Sequence, residues 1–476
     1  MHQDDPLDTV LLGFSDKDSF TIRDSFEGVQ IFGGIGSGKT SGSGKLFAHS
    51  FLESGYGGLV LTAKVDETDL WKKYAEQAGR ADDLIIINPE AQNCFNFLEY
   101  EQSLPHADAG LTENIVRLFE SVVQSTRTDR SSGGINEQFW MDEFRKLLRN
   151  AVDLLRFAEF PLKLKLINDL VFSAATSPEE AYDPEWAKKS FCNRAIRKAF
   201  RRGKKFRKHS SEYNDLELTF DYWIREYPLK PDKTRSTVTA VFSGVTDVFL
   251  RGFLNNVFSS QTTVTPEDSL NGKIIILDFP QKRYNELGVM AQVLFKMVWQ
   301  RAMERRDITD SSRPVFLWID ESQFFVNRYD VNFQTTARSA RVATVLLTQN
   351  LPNYYAALGG EKASKAFVDS LLGNLSTKVF HNNTCATTNQ YAADLFAQEW
   401  QSVSSSSQSQ SEGKLTFGSG ESLQLKHSIL PREFTGLKRG GPLEDFLVEG
   451  IVHQGGKVFQ TSGINALKTV FSQNLN

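Results

Sequence analysis

The sequence predicts an α/β protein with a mainly parallel sheet, split by an inserted all-α domain, and three observations carry that expectation. Short apolar runs rich in β-branched residues recur at Val29 to Phe32, Gly58 to Thr62, Leu84 to Asn88, Lys273 to Asp278, Val315 to Asp320, Thr344 to Thr348 and Lys378 to His381. Strands covered by helices on both faces lose the polar alternation of half-exposed ones, so these runs read as buried strands. Stretches with helical spacing, such as Asp69 to Gly79 and Leu287 to Arg305, lie between many of them, which is the alternation of a parallel sheet. From about Ser103 to about Thr265 the pattern turns helical, most clearly at Asn114 to Val123, Asn136 to Phe157 and Thr234 to Phe258. An interruption of about 160 residues is too long for a loop.

Composition supports a globular chain. Its 476 residues carry 54 Lys and Arg against 58 Asp and Glu, with 40% hydrophobic residues, too apolar and too nearly neutral for disorder and long enough for about two or three domains. The three cysteines, Cys94, Cys192 and Cys385, lack metal-ligand spacing, which fits a reducing compartment without a disulfide or zinc framework. No apolar run approaches the ~20 residues of a membrane span, and the start MHQDDPLDTV lacks the regions of a signal peptide. The expectation is a cytoplasmic chain.

The predicted boundaries are 1–102 for the first half of a sheet-bearing domain, 103–265 for the inserted all-α domain and 266–400 for the second half. Residues 401–414 hold ten Ser or Gln in fourteen positions and predict a flexible linker. Residues 415–476 then form a small β element, with a hairpin expected around Gln454-Gly455-Gly456.

The run Gly33-Gly34-Ile35-Gly36-Ser37-Gly38-Lys39-Thr40, continued by Ser41, satisfies G-x-x-x-x-G-K-[ST] between a strand and a helical stretch. Its glycines let backbone N–H groups curl around phosphate oxygens, and Lys39 can reach the β- and γ-phosphates. The Thr40 hydroxyl can ligate Mg²⁺, so ATP and Mg²⁺ are the expected cofactors. A second run, Gly42-Ser43-Gly44-Lys45-Leu46, has no hydroxyl in its last position and reads as helix start.

Hydrolysis needs a carboxylate for the metal's shell and a group that orients or deprotonates water. Val315 to Ile319 is a buried strand that delivers Asp320 for the first task and Glu321 for the second. After the strand at Val342 to Thr348 comes Gln349, at a strand end where polar groups face ligands in open α/β sheets, suited to sensing the γ-phosphate. Arg338 and Arg341 precede that strand, and either can be read as an arginine finger for a neighbour's nucleotide or as a surface charge.

Lys188 to Lys208 contains eleven Lys or Arg and no acidic residue. At 100° per residue, Phe191, Ala195, Ile196 and Ala199 share one helix face, and Arg194, Arg197, Lys198, Arg201 and Lys205, with Arg202 beside them, lie on the other. Such a face suits phosphate neutralisation, with Phe206 available for stacking on single-stranded bases. A solvated face or a surface for an acidic protein partner fits the same letters.

In the order and spacing of these blocks the chain resembles the TraG/TraD-like type IV secretion coupling proteins, conjugative DNA-transfer ATPases of the HerA/FtsK motor group. The resemblance spans roughly Leu11 to Gln473. It rests on Gly33 to Thr40, Gly58 to Glu67, Cys94 to Leu98, Phe316 to Glu321, Ala337 to Arg341, Thr348 to Asn350, Pro431 to Phe434 and Gly440 to Pro442. It implies a RecA-like P-loop NTPase domain with an inserted all-α domain, a homo-hexameric ring, and motor chemistry at Lys39, Thr40, Asp320, Glu321 and Gln349. Arg338 holds the family's finger position. The implied cargo is DNA, single-stranded with bound protein, delivered to a secretion channel. Members commonly begin with a membrane anchor, and nothing apolar enough precedes Gly33. The expectation is therefore a member without its own span, cytoplasmic or peripheral at the inner face of the cell membrane, that docks on a membrane-bound channel partner. The alternatives are a soluble HerA/FtsK-like translocase or helicase in DNA processing or defence, and a nucleotide-gated docking platform for protein substrates.

Overall fold

The computed structural model describes residues 5–105, 111–126, 135–411 and 414–474. In chain order the strands are β1 (Val10–Gly13), β2 (Ser19–Thr21), β3 (Val29–Phe32), β4 (Gly57–Leu61), β5 (Leu84–Ile87), β6 (Ile274–Leu277) and β7 (Val315–Ile319). They continue as β8 (Val342–Thr348), β9 (Thr377–Phe380), β10 (Gln398–Ser411), β11 (Lys414–His427), β12 (Leu447–Gln454) and β13 (Ala466–Ser472). Every apolar run predicted as a buried strand forms a strand, although β5 is only partly buried, with Ile87 alone fully covered. The chain forms two compact units, residues 1–56, 316–323 and 334–476 in the first and 57–315 and 324–333 in the second.

In the first unit the strand order is β13-β12-β9-β3-β8-β7. Strand β3 runs parallel to both neighbours, with Phe32 opposite Thr348 on one side and Phe380 on the other. Three strands therefore end level at one edge, where the glycine-rich run begins. Residues of β3, β7, β8 and β9 are all buried, which is why these segments show no polar alternation. Phe51 stacks on Tyr56 and Phe316 at 4.9 and 5.8 Å between ring centroids, and Phe32 on Phe380 at 5.3 Å.

Two expectations for this unit are corrected. Residues 401–411 are not a linker: they lie in β10, which pairs with β11 from Gln398 opposite His427 to Ser411 opposite Lys414. A Ser/Gln-rich run has nothing apolar to bury, yet its backbone can complete a ladder when a partner strand follows directly, and that partner lay outside the compositional window. Gln454-Gly455-Gly456 does not turn a tight hairpin either. Strand β12 ends there, but it pairs with β13 across a longer connection and with β9 on its other edge, so the C-terminal β element extends the parallel sheet with two antiparallel strands.

In the second unit β4 and β5 flank β6 in parallel, with Gly58 and Leu84 both opposite Ile274. The helices of the expected insertion belong to this unit together with these strands, so the compact units cut the chain elsewhere than the sequence boundaries. The reason is packing. Helix Leu111–Thr126 is tied to helix Gln281–Arg305 through Arg301, whose guanidinium donates to the Asn114 carbonyl at 3.3 Å and to its side-chain oxygen. The chain leaves and re-enters side by side, with Phe95 N–H on the Val257 carbonyl at 2.8 Å and Thr263 N–H on that of Cys94 at 2.9 Å. Thr234 to Phe258 is two helices, Asp232–Leu250 and Gly252–Phe258, bent by 77° at the extended residue Arg251. Among the described residues no single helix is long and apolar enough to cross a membrane.

Buried polar residues on helix Gln281–Arg305 organise this unit's core. Gln292 donates to the carbonyls of Thr62 and Phe279 and accepts from the Thr62 N–H. One turn on, the fully buried Lys296 ammonium contacts Asp330 at 2.6 and 2.7 Å and the Phe325 carbonyl at 2.8 Å. Gln300 and the Asn327 N–H complete the Asp330 carboxylate's partners. Removing one member of a buried pair strands the other's charge. Lys296→Met should therefore lower the unfolding free energy by about 3–5 kcal/mol, read by chemical denaturation; a loss below about 1 kcal/mol would mean that the pair is not desolvated as described.

Candidate nucleotide-binding site

The glycine-rich run Gly33 to Thr40 starts where β3 ends. Gly33 N–H donates to the Thr348 carbonyl at 3.3 Å and Gly34 N–H to that of Asn382 at 2.9 Å, which fixes the turn to the ends of β8 and β9. Gly36 and Gly38 have φ of 65° and 79°, left-handed values that side-chain-bearing residues rarely adopt. A Cβ on Gly38 would also fall 2.5 Å from a Val448 methyl. The chain then winds through a wide turn at Thr40–Gly44 into helix Lys45–Glu53. Inside the turn the Ser37 hydroxyl, in a residue 1% exposed, has no hydrogen-bond partner among the described residues. An orphaned buried hydroxyl within a glycine cradle at a helix start fits phosphate oxygens.

Strand β7 delivers the two carboxylates to the same edge. The Thr40 hydroxyl donates to Asp320 Oδ2 at 3.2 Å, and Asp320 Oδ1 accepts the Glu321 N–H at 2.8 Å. Glu321 stands at φ 46°, a conformation costing a non-glycine residue of order 1 kcal/mol. That turn aims the adjacent carboxylates at different partners. Glu321 Oε1 lies 3.6 Å from Lys39 Nζ, Oε2 accepts from Gln323 Nε2 at 3.0 Å, and Gln349 Nε2 approaches both oxygens at 3.3 and 3.4 Å. Lys39, Thr40, Asp320, Glu321 and Gln349 are thus brought together. Among the described residues no group of three or more His, Cys, Asp or Glu is placed to hold a metal ion. A hydroxyl beside one carboxylate is instead the partial oxygen shell that Mg²⁺ shares with phosphates.

Sequence reading missed the residues that brace this turn. Arg439, just before the Gly440-Gly441-Pro442 run, donates to the carbonyls of Ile35 and Gly36 at 2.6 and 3.3 Å and so holds the tip of the loop. Gln473 donates to the Ser41 hydroxyl at 2.6 Å and accepts from Gly441 N–H at 2.7 Å, while Lys45 donates to its carbonyl. Gln323 was also missed. No local motif marks Arg439 and Gln473, because the loop residues they hold lie hundreds of residues away.

Arg338 does not join the cluster. It precedes β8, whose other end carries Thr348 and Gln349, so about 23 Å of strand separates it from this edge at roughly 3.3 Å per residue. Its side chain is 63% exposed and contacts Glu27 at 3.2 Å. Arg338 and Glu27 line an open cavity of about 800 Å³ with Asp369, Lys378 and His453, and burial lowers the Lys378 pKa to about 8. In the second unit, Arg194, Arg197, Lys198, Arg201 and Arg202 lie on helix Phe191–Gly203 and Lys205 follows it. Its buried face is Cys192, Ala195, Ile196 and Ala199. Lys198 and Arg202 are tied to the Glu159 carbonyl and carboxylate at 3.0 and 3.1 Å, whereas Arg194, Arg197, Arg201 and Lys205 are exposed.

His381, fully buried at the end of β9, joins the loop helix to the C-terminal β element through Ser43 Oγ at 2.6 Å and the Glu449 carbonyl at 2.9 Å. Burial draws its pKa down to about 4, opposed by the Glu449 carbonyl and aided by the Lys39 charge. A folded pKa below the unfolded ~6.5 means that the unfolded chain takes up the proton first as pH falls. Stability contributed by neutral His381 is therefore complete above about pH 6.5 and is lost toward about pH 4, by up to about 1.4 kcal/mol per pH unit. In denaturant titrations across that window the parent should lose stability more steeply than His381→Gln. Parallel losses would contradict this environment.

Residues 314–438 match the family model described as the TraM recognition site of TraD and TraG. No curated protein sequence matches the chain, but solved structures do. The bacterial conjugative coupling protein TrwBdeltaN70, unbound, is 14% identical with a TM-score of 0.60 over 100% of this chain and 90% of its own. The plasmid coupling protein TrwB with the GTP analogue GDPNP gives 15% identity, a TM-score of 0.58 and coverage of 100% and 92%. TrwB with ADP and Mg²⁺ gives 14%, 0.59, and 100% and 90%. The RecA-like P-loop fold is common to all of them. The described residues share the fold of these conjugative coupling proteins, and residues 314–438 carry the sequence pattern of the TraM recognition site of TraD and TraG.

Proposed function

We propose that this chain hydrolyses ATP as a subunit of a homo-hexameric motor that delivers DNA, single-stranded with bound protein, to a type IV secretion channel. The observation that carries the reading is the convergence of Lys39, Thr40, Asp320, Glu321 and Gln349 on one strand edge. TrwB, which shares the fold, has been solved with nucleotide analogues and with ADP and Mg²⁺. Lys39 balances phosphate charge, and Thr40 with Asp320 holds the metal. Mg²⁺, when bound, supplies charge neutralisation across the phosphates. Glu321, oriented by Gln323 and Gln349, accepts a proton from the attacking water. Arg338 stands too far from its own loop to act in cis, which supports a finger offered to a neighbour and hence a ring. The exposed cations of helix Phe191–Gly203 contact DNA phosphates. The reading places the chain in the cytoplasm or at the inner face of the cell membrane, with a separate membrane-bound channel partner. The family description of residues 314–438 as a recognition site favours one addition: this segment also docks a protein of the cargo complex.

Glu321→Gln should bind ATP like the parent, because Asp320 and Lys39 remain, and hydrolyse it about 10²–10⁴ times more slowly. Lys39→Ala should lose turnover and weaken nucleotide binding as well. Nucleotide affinity by fluorescence titration and phosphate release separate the two, and parental turnover by Glu321→Gln would remove Glu321 from its role.

Arg338→Ala should bind ATP almost normally yet hydrolyse it on the order of 10³-fold more slowly. Mixing it with Glu321→Gln subunits should restore part of the activity, since a finger from one subunit meets an intact site only on its neighbour. Mixed assemblies of confirmed composition that stay inactive would argue against action in trans.

A further inference from the structure

Among the cations of helix Phe191–Gly203 stands an aromatic ring that the sequence reading passed over. Phe200 is 56% exposed. At 100° per residue it lies about 60° from Arg197 and about 40° from both Lys204 and the buried Ile196, at the border between the basic and the buried face. Lys204 Nζ sits 5.4 Å from its ring centroid, and Phe220 meets it at 6.2 Å with the planes at 48°. The ring is braced by one aromatic and flanked by cations, with the rest of its surface open. Phe206, the residue first suggested for stacking, is occupied instead: it packs on Phe157 at 6.1 Å, with the Arg202 guanidinium over its ring.

An exposed phenylalanine alone is ordinary. Here it stands within a segment of eleven Lys or Arg and no acidic residue in a protein of net charge −4. The helix that supplies Phe220, Ser211–Asp221, also carries Glu212, Asp215, Glu217 and Asp221, of which Asp221 contacts Arg225 at 3.1 Å. We infer that Phe200 is a stacking platform for an unpaired nucleobase, so that this helix selects single-stranded over duplex nucleic acid. The inference rests on the DNA-binding reading above and adds to it the residue through which the helix tells an unpaired strand from a duplex. Cations neutralise the backbone of either form. Only an unpaired base offers its face to a ring, because duplex bases are already stacked.

Removing a base–aromatic stack weakens binding roughly 5- to 150-fold. Phe200→Leu, which keeps an apolar contact for Phe220, should therefore bind a single-stranded oligonucleotide at least about fivefold more weakly. Its duplex affinity and its salt dependence should not change. A single-stranded oligomer carrying abasic sites gives a reading on the unaltered protein: the parent should bind it more weakly than the intact strand, and Phe200→Leu should not distinguish the two. Changing Arg194, Arg197, Arg201 and Lys205 together to Gln should weaken both forms and flatten the slope of log affinity on log salt by about two to three for single strands. If that quadruple variant loses binding while Phe200→Leu and the abasic strand behave like their references, the stacking role is overturned and the DNA reading stands. If the quadruple variant binds DNA like the parent, both are overturned.

Discussion

Two adjacent carboxylates buried at the end of one strand set the terms for the rest of the site. Asp320 and Glu321 are 2% and 4% exposed, and buried charge is costly unless opposite charge and hydrogen-bond donors surround it. Their surroundings answer that requirement in kind: a hydroxyl from Thr40, an ammonium from Lys39, and amides from Gln323 and Gln349. Each of those groups is also one that a phosphate, a metal or a water can engage. The interactions that make the carboxylates tolerable in the fold thus place the chemical groups within reach of one another. The left-handed turn at Glu321 is the local cost of aiming two neighbouring side chains at different tasks.

The C-terminal part of the chain completes this arrangement. Arg439 grips the loop tip, Gln473 and Lys45 tie the loop helix to the last strand's exit, and His381 links that helix to β12. Strands β12 and β13 therefore do more than protect the β9 edge of the sheet: they hold the glycine-rich turn from the side opposite to β7. A loop built of glycine has little conformational preference of its own, and these contacts supply the rigidity that its composition withholds.

The second unit works by a different economy. Its core uses fully satisfied buried polar groups, Gln292 on the backbone of Thr62 and Lys296 on Asp330, which specify one arrangement where apolar packing alone tolerates several. Its surface concentrates positive charge on one helix of an otherwise acidic protein. Two of the six cations singled out there, Lys198 and Arg202, already bond the Glu159 segment, so fewer of them are unengaged than the composition of the segment implies.

The sequence by itself determined the strands, the phosphate-binding turn and the two carboxylates, because each is written in consecutive residues: a buried strand needs an unbroken apolar run, and a phosphate cradle needs glycines at fixed spacing. It also marked Gln349 by its place at a strand end. What only the tertiary structure decided depends on pairings between distant segments. Arg439 reaches a carbonyl 404 residues earlier in the chain, and His381 a hydroxyl 338 residues away. The Ser/Gln run became a strand because Lys414–His427 pairs with it, and Phe200 rather than Phe206 faces outward because Phe157 covers the latter. Local composition states what a residue is able to bury or bind. Long-range packing decides which of those capacities is used, since it alone fixes which side chains are already occupied.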